Sequence, residues 1–243
     1  MQYYRREKKL SKKKYLKTAG LISIFAGLVA IIYFFFPVIS YQIFLASSYE
    51  TAHLEVPIPK RMVVNEDSDL GSLITQGISS LTSNYSDARN WYPKNASDTI
   101  IGAKVDSYLL SIPKLKIENA KVSTRDYNLD QHLVQYFGTA IPGEPGTAVI
   151  FGHSTLPSWF DPKNYKAIFA TLHTIKVGDE INATIGKISY KYKIFAIVIT
   201  TPEDTNILSQ SYDNSYLTIV TCTPPGTIWK RLIVRAALVP PES

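Results

Sequence analysis

The 243-residue sequence contains a single cysteine, Cys222, and this scarcity excludes a disulfide bond within the chain. A cysteine without a partner is either a buried, inert side chain or a reactive thiol, and its presence alone does not distinguish the two. The sequence also lacks evident repeats and low-complexity segments. Its length suits one domain of ordinary size with a substantial appendage.

Charged residues are absent from Thr18 to Tyr49, and most of this stretch is apolar. Leu21 to about Val38 nearly supplies the ~20 apolar residues with which a helix crosses the hydrocarbon core of a bilayer. A cleaved signal peptide is the alternative, but its apolar region is usually only about 7–15 residues long. We therefore expect a transmembrane helix at 19–45, and either interpretation exports the rest of the chain.

The positive charge of the chain is concentrated before this apolar stretch. Eight Lys or Arg residues and one Glu give residues 1–17 a charge of +7, so the rest of the chain carries −1 of the total +6. The nearly neutral remainder does not require a phosphate-binding surface, and we expect no nucleic-acid partner. Basic residues before the helix predict that residues 1–18 form a cytoplasmic tail.

Residues 46–101 have the composition of a stalk. His53 to Met62 include two prolines and show no periodicity, which predicts an extended spacer. Apolar residues from Ser68 to Leu81 recur at helical spacing and predict a short amphipathic helix. The polar segment from Asn84 to Asp98 is predicted to be a loop or a second spacer.

Short runs rich in Val, Ile, Tyr and Thr alternate with Gly, Pro, Asn and Asp from about residue 102 onward. This composition is typical of strands, with only short helical segments near 163–172 and 205–210. Seven strands are predicted, at 104–112, 117–122, 147–151, 179–185, 188–200, 215–221 and 231–239. An all-β domain at 102–243, either a barrel or a sandwich, follows from this pattern.

Cys222 ends a predicted strand, and two prolines and a glycine follow it closely. If the strands at 215–222 and 231–239 form an antiparallel hairpin, Arg231 lies beside Cys222 and Arg235 lies opposite residue 218. A fixed cation near a thiol favours the thiolate, and its donors can hold an oxyanion. The hairpin therefore favours Arg231 over Arg235 as a functional residue.

Four histidines could exchange a proton with the thiol. His53 lies in the predicted stalk, and His132 and His173 lie in polar contexts that predict exposure to solvent. His153 differs because it follows the apolar run TAVIF and a glycine, where a buried strand meets a turn. From position alone, a structural role for His153 remains as good an interpretation as a functional one.

Three separated segments resemble the sortase family. They are IPKLKIENAKV at Ile112–Val122, PGEPGTAVIFGH ending at His153, and LTIVTC followed by KRLIVRA near the C-terminus. The last pair is similar to the family's TLxTC-type strand and the arginine that opens the next strand. The resemblance covers residues 102–240 and assigns His153, Cys222 and Arg231 as the catalytic residues.

The resemblance implies an eight-stranded β-barrel that cleaves an LPxTG-like sorting signal between Thr and Gly through a thioacyl-enzyme. The acyl group would pass to an amine acceptor, either a peptidoglycan precursor or a pilin lysine, without a cofactor or metal. The loop at 200–214 would help to form the substrate groove, and we assign substrate binding to Thr205, Ile207, Leu208 and Thr221.

Two features qualify this interpretation. The segments TCTPPG and RLIVRA are similar to the pilin-polymerising and class D-like groups, but the sequence has no obvious Asp-Pro-aromatic lid before the barrel. An insertion at 154–174 follows His153, and its Trp159 and Phe160 either pack on the domain or line a groove.

Two alternative functions remain for this sequence. One is a membrane-tethered domain that binds peptide or wall polymer without turnover, and the other is a purely hydrolytic cysteine protease.

Overall fold

The computed structural model of the protein describes residues 12–40, 85–91 and 105–240. The chain divides into two units, Met1–Ser48 and Tyr49–Ser243. The predicted stalk at His53–Met62 and the predicted helix from Ser68 to Leu81 lie outside the described residues.

The first unit contains one long helix, α1, at Lys12–Ser40. Its apolar stretch Tyr15–Tyr33 has a mean hydropathy of 1.9 over 19 residues and is not buried against other parts of the chain. At about 1.5 Å per residue this stretch is about 29 Å long, close to the ~30 Å thickness of a hydrocarbon core. By length and composition the helix can cross a membrane. It begins before the predicted residue 19, and residues 41–45 lie outside the described part.

The second unit is a closed barrel of eight strands. The strands are β1 Ser107–Ile112, β2 Ile117–Ser123, β3 Leu133–Gln135, β4 Gly146–Phe151, β5 Glu180–Ile185, β6 Ile188–Thr200, β7 Ser215–Thr223 and β8 Lys230–Leu238. Their order around the barrel is β1-β2-β3-β4-β7-β8-β6-β5. The all-β prediction is confirmed, and of the two architectures left open by strand composition the barrel is present.

All seven predicted strands are present, with ends that differ by up to three residues. The eighth, β3, has only three residues and pairs in parallel with β2 and antiparallel with β4. Such a short strand shows no alternation from which it could be recognised. The barrel also contains a second parallel pair, β4 with β7, which brings together residues far apart in the sequence.

Apolar residues on β4, β7 and β8 alternate between two separate clusters. The larger cluster receives side chains from strands all around the barrel and therefore fills its interior; Ile150, Ile219 and Val234 belong to it. The smaller cluster lies on the other face of the same strands and includes Phe151 and Cys222. Because successive strand residues point to opposite faces, Cys222 lies outside the barrel interior, under the segments that cover this face.

Residues 85–91 form one of these covering segments. The polar composition of 84–98 predicts a loop or spacer, but Ala88–Trp91 is a 3₁₀ helix and Trp91 is only 1% exposed. The segment is fixed to the loop before β3 by hydrogen bonds from Ala88 N to Tyr127 O and from Leu129 N to Ser86 O. The loop prediction is therefore wrong for these residues, which dock onto the barrel.

The connections around the barrel hold short 3₁₀ helices at Pro113–Leu115, Pro157–Trp159, Leu172–Thr174 and Thr205–Leu208. In the insertion, Phe160 packs against the larger core cluster, while Trp159 is 68% exposed. The helix predicted near 205–210 is confirmed. The one predicted near 163–172 is replaced by turns, and the short helix there begins only at Leu172.

Candidate active site

Cys222 lies one residue before the end of β7, directly opposite Arg231 on β8. The strand ends where two successive prolines remove the backbone donors that the ladder needs. The predicted hairpin register is confirmed, since Cys222 pairs with Arg231 and Thr218 pairs with Arg235. Cys222 is 6% exposed, so a large substrate can reach the sulfur only if covering groups move.

The Arg231 guanidinium lies against the cysteine sulfur, with Nη1 3.6 Å from Cys222 Sγ. Nη1 also donates to the carbonyl of Ile228 at 3.0 Å, and Nη2 donates to the carbonyl of Trp91 at 3.4 Å. These backbone contacts fix the orientation of a side chain that is only 1% exposed. The cation is therefore held rigidly beside the thiol.

Arg231 has no carboxylate within ion-pair distance among the described residues, and its buried Nε has no hydrogen-bond partner there either. A buried cation without a counter-ion is costly unless something else offsets its charge. Burial raises the pKa of the Cys222 thiol, and the charge of Arg231 offsets this only in part. The guanidinium thus has donor capacity and charge available for a group that arrives from outside.

His153 follows β4 and is held beside Cys222 by two hydrogen bonds that connect the adjacent strands. The hydroxyl of Thr221 donates to the carbonyl of Gly152 at 2.7 Å, and the hydroxyl of Ser154 donates to the carbonyl of Cys222 at 2.7 Å. Phe151 pairs with Val220, so continuing this parallel register sets His153 next to Cys222. The residues on both sides of His153 are therefore fastened to the strand that carries the thiol.

The imidazole of His153 is mostly buried, with a side-chain exposure of 17%, and its Nε2 lies 3.3 Å from Asp130 Oδ1. Burial lowers the pKa of His153, while the negative charge of Asp130 raises it and the positive charge of Lys166 lowers it. The net direction is downward, so burial outweighs the carboxylate. At neutral pH the neutral imidazole therefore dominates.

Trp91 packs near both Arg231 and His153. Its ring centroid is 5.2 Å from the guanidinium carbon of Arg231 and 5.8 Å from the centroid of the His153 ring. The indole Nε1 donates to the carbonyl of Tyr85 at 2.8 Å, which fixes the ring to its own segment. A cation over an indole face at this distance gains a further electrostatic attraction.

The four residues assigned to substrate binding have different environments. Thr221 is 1% exposed and its hydroxyl is already used to hold Gly152, so its contacts are within the protein. Ile207 is buried in the cluster that contains Cys222, and Leu208 packs against the same cluster. Thr205 is exposed. Ile207 and Leu208 are therefore the loop residues with an apolar connection to the thiol.

Neither of the other two described histidines is exposed, although exposure was predicted for both. The polar context of His132 predicts exposure, but the residue is buried, with Nε2 3.0 Å from Asp126 Oδ1. His173 is partly buried, and burial lowers its pKa. His53 lies outside the described residues. The prediction for His132 is wrong because a neighbouring carboxylate in its own loop compensates the burial of a polar ring.

Sequence reasoning missed Trp91 and Asp130. Trp91 lies in a polar stretch without periodicity, where the aromatic residues Tyr85, Trp91 and Tyr92 are the only signal of a docking contact. Asp130 lies in the sequence LDQH, which has no feature that relates it to His153, 23 residues later. Both reach the site because the segment at 85–91 and the loop before β3 fold onto the same face of the barrel.

Comparison with known proteins gives one family. The family model described as Sortase domain matches residues 110–239. Among solved structures, a sortase D5 transpeptidase from Clostridium perfringens is 32% identical over 55% of this chain and 79% of that chain, with a TM-score of 0.47.

Two further solved structures are similar. A lid mutant of sortase A from Corynebacterium diphtheriae is 28% identical over 64% of this chain and 78% of its own, with a TM-score of 0.49. Sortase C-1 from Streptococcus pneumoniae is 26% identical over 55% and 66%, with a TM-score of 0.48. No curated protein matches the chain. Because the family model covers more than half of the sequence, the chain belongs to the sortase family and is a cysteine transpeptidase.

Proposed function

We propose that Cys222 is the nucleophile of this transpeptidase, His153 its proton-transfer partner and Arg231 the group that holds the oxyanion or the substrate. The observation that carries the proposal is the 3.6 Å contact between Arg231 Nη1 and Cys222 Sγ. The two hydrogen bonds that fasten the residues flanking His153 to β7 support it.

The substrate in this proposal is an LPxTG-like sorting signal. The thiolate of Cys222 adds to the carbonyl carbon of the Thr–Gly bond, and the guanidinium of Arg231 stabilises the oxyanion that forms. The intermediate collapses with cleavage of the C–N bond while imidazolium His153 protonates the leaving amine. An acceptor amine then attacks the thioester and neutral His153 accepts its proton. The C–S bond breaks, which releases the new amide and restores the Cys222 thiolate and imidazolium His153.

The reacting groups pass through a minor ionisation state. Because the pKa of Cys222 is raised and that of His153 is lowered, the neutral thiol and neutral imidazole dominate at neutral pH. Transfer of one proton from the thiol to the imidazole gives the reactive ion pair without a change in net charge. Charge from Arg231 on one side and Asp130 on the other favours this ion pair.

The loop between β6 and β7 supplies the proposed peptide-binding surface. Its 3₁₀ helix at Thr205–Leu208 is capped by Asp204, whose side chain accepts from Asn206 N. Gln210 fixes the loop to β4, since its Oε1 accepts from Thr147 N and its Nε2 donates to Thr147 O. Ile207 and Leu208 are thereby held where apolar side chains of a sorting signal can pack near the thiol.

We also propose that the enzyme is anchored by α1 with its N-terminus in the cytoplasm. In this arrangement residues 1–18 form the tail, 19–45 the transmembrane helix and 46–101 the stalk, except that its segment 85–91 docks onto the catalytic domain at 102–243. The exposed apolar stretch Tyr15–Tyr33 supports the role of α1 as a membrane anchor. The Lys and Arg residues that precede it support a cytoplasmic N-terminus. The acceptor is then an amine of the cell envelope or a pilin lysine.

Incubation of the full chain in detergent with an LPxTG-like peptide and a small amine tests this function. We expect mass spectrometry to show the peptide cleaved after Thr and joined to the amine, with no product from Cys222→Ala. Product formation by Cys222→Ala would exclude the proposed nucleophile. Release of only the free acid in abundant amine would instead identify a hydrolase.

A further inference from the structure

The loop between β2 and β3 carries Asp130, an acidic residue that lies next to His153. This loop is rigid because its polar side chains bond its own backbone: Asp126 accepts from Asn128 N at 2.9 Å, and Asn128 accepts from Asp130 N at 3.0 Å. Leu129 is fully buried, and its N–H donates to Ser86 O at 2.8 Å. Asp130 therefore occupies a fixed place at the end of a chain of local hydrogen bonds.

The carboxylate of Asp130 faces two basic groups with its two oxygens. Oδ1 lies 3.3 Å from His153 Nε2, and Oδ2 lies 3.2 Å from Lys166 Nζ. Although partial burial raises its pKa, the hydrogen bond of the Ser86 side chain and the charges of Lys166 and His153 lower it below the ordinary value. Asp130 is consequently ionised at the pH at which a histidine exchanges protons.

His153 Nε2 is buried and makes no well-aligned hydrogen bond in the described part of the chain. Asp130 carries the only carboxylate oxygen within ion-pair distance of it among these residues. Contacts of this kind are often long or poorly aligned without substrate and tighten in the reactive complex. A carboxylate at one ring nitrogen selects the tautomer that carries the proton there and leaves the lone pair on the other nitrogen.

We infer that Asp130 is a positioning residue for His153, holding the imidazole through Nε2 so that Nδ1 exchanges the proton with the substrate. This inference rests on the proposed role of His153 in the transpeptidase reaction. Asp130 also stabilises the imidazolium form, which carries the proton to the leaving amine. Lys166 weakens the stabilisation of the imidazolium by Asp130, because its ammonium group pairs with the other oxygen of the same carboxylate.

The charged and titratable groups around His153 come from four elements. Asp130 belongs to the β2–β3 loop, Lys166 to the connection after β4, and Cys222 and Arg231 to β7 and β8. The Trp91 ring lies near both Arg231 and His153. Asp130 is the anion of this group. Replacing it with Asn should therefore lower the pKa of His153, and replacing Lys166 with Gln should raise it.

The titration of His153 tests the inference directly. The full chain, labelled with ¹³C and ¹⁵N at histidine and held in detergent, is titrated by NMR without substrate, and His153 is assigned by loss of its signal in His153→Gln. We expect a lower midpoint in Asp130→Asn, a higher one in Lys166→Gln, and the Nε2–H tautomer in the wild type. An unchanged midpoint in both variants, or an Nδ1–H tautomer in the wild type, would overturn the inference.

Asp126→Asn is the matched control, since it neutralises a carboxylate of the same loop but keeps the oxygen that accepts from Asn128 N. We expect it to leave the His153 midpoint unchanged; a shift equal to that of Asp130→Asn would show a general loop effect and contradict the proposal. The Lys166 side chain is 65% exposed, so we expect Lys166→Gln to fold. This variant tests the effect of charge on the His153 midpoint even if Asp130→Asn does not fold.

Kinetics extend the test to the reaction. We expect Asp130→Asn to lower kcat/KM by about tenfold to a hundredfold, which is at or below the lower end of the ~10²–10⁴-fold contribution of general acid–base catalysis because His153 itself remains. We also expect the acid limb of the pH profile to move downward. An active Asp130→Asn variant with the wild-type profile would contradict the positioning role. The NMR titration needs no substrate, so failure of the proposed peptide reaction would be distinguishable from failure of this inference.

Discussion

Arg231 is the residue whose environment is hardest to explain by stability alone. It is almost completely buried, lacks a carboxylate partner among the described residues, and directs Nη1 at the sulfur of Cys222. A buried ion without a counter-ion weakens the folded state, whereas a preorganised cation stabilises negative charge that develops during a reaction. The arrangement is what an oxyanion-binding residue requires.

Arg231→Ala should lower kcat/KM by about 10²–10³-fold, the cost of removing one donor to a developing oxyanion. Arg235→Ala is the matched control, because Arg235 is on the same strand and face but pairs with Thr218 and stacks over Phe195 at 5.4 Å. Steady-state kinetics of both variants are measured together with their thermal unfolding. Equal losses of activity in the two variants would exclude a specific role for Arg231.

The strands β4 and β7 connect distant parts of the sequence into one site. Their parallel pairing runs from Gly146 opposite Ser215 to Phe151 opposite Val220, and the Thr221 hydroxyl continues the connection to Gly152. This hydrogen bond lies one residue before His153 and one before Cys222. It therefore connects the two strands next to both residues to which we assign the reaction.

Thr221→Val should lower the free energy of unfolding by about 1–3 kcal/mol, because the buried carbonyl of Gly152 loses its side-chain donor. Thr147→Val, on the same strand pair, should be neutral or stabilising, since its buried hydroxyl has no hydrogen-bond partner among the described residues. Urea unfolding of both variants checks the difference. Equal destabilisation would show that the Thr221 hydrogen bond contributes nothing particular.

The segment at 85–91 covers the same site from outside the barrel. Trp91 packs edge-on against Phe151 at 5.7 Å and contacts both Arg231 and His153. It shares a buried cluster with Cys222, so its removal opens space beside the thiol. We therefore expect this short helix to limit access to Cys222.

Trp91→Ala should lower the free energy of unfolding of the domain by about 3–5 kcal/mol, as for other buried Trp side chains. It should also increase the rate at which iodoacetamide alkylates Cys222. Trp159→Ala is the control, because Trp159 is 68% exposed and its loss removes little packing. Alkylation is followed by intact mass under conditions where both variants remain folded. The same alkylation rate in both variants would contradict a covering role for Trp91.

At the scale of the whole molecule, the sequence predicted local features well but did not predict contacts between residues far apart in the chain. Strand composition located seven of the eight strands, and the short β7–β8 connection was enough to place Arg231 beside Cys222. The neighbourhood of His153 depends on a parallel pairing across more than sixty residues, which periodicity does not reveal. The proposed role of this histidine therefore came from the family resemblance and not from the pattern of the sequence.

The contacts that were missed are those made by segments without regular structure. The docking of 85–91 and the place of Asp130 depend on how irregular backbone packs against a finished barrel, and neither polarity nor periodicity encodes this. Burial of His132 was missed for the same reason, because its partner Asp126 was not recognised. Local propensity is a poor guide where tertiary contacts decide the conformation.

The helix α1 leads to a prediction for the 243-residue chain. The full-length protein should remain in the membrane fraction after alkaline carbonate extraction, because about 29 Å of exposed apolar helix matches the hydrocarbon core. A chain that begins at Tyr49, the first residue of the second unit, should be recovered in the soluble fraction. Release of the full-length protein by carbonate would contradict a membrane-spanning α1.

The most direct test of the central assignment is to trap the acyl group on the protein. The full chain is mixed with an LPxTG-like peptide without an added amine, quenched in acid, and examined by intact and peptide-level mass spectrometry. We expect a thioester-linked acyl fragment ending at Thr on the peptide that contains Cys222, and its disappearance when an amine is added. Attachment of the acyl group at any other residue, or the same adduct in Cys222→Ala, would contradict the assignment of Cys222 as the nucleophile.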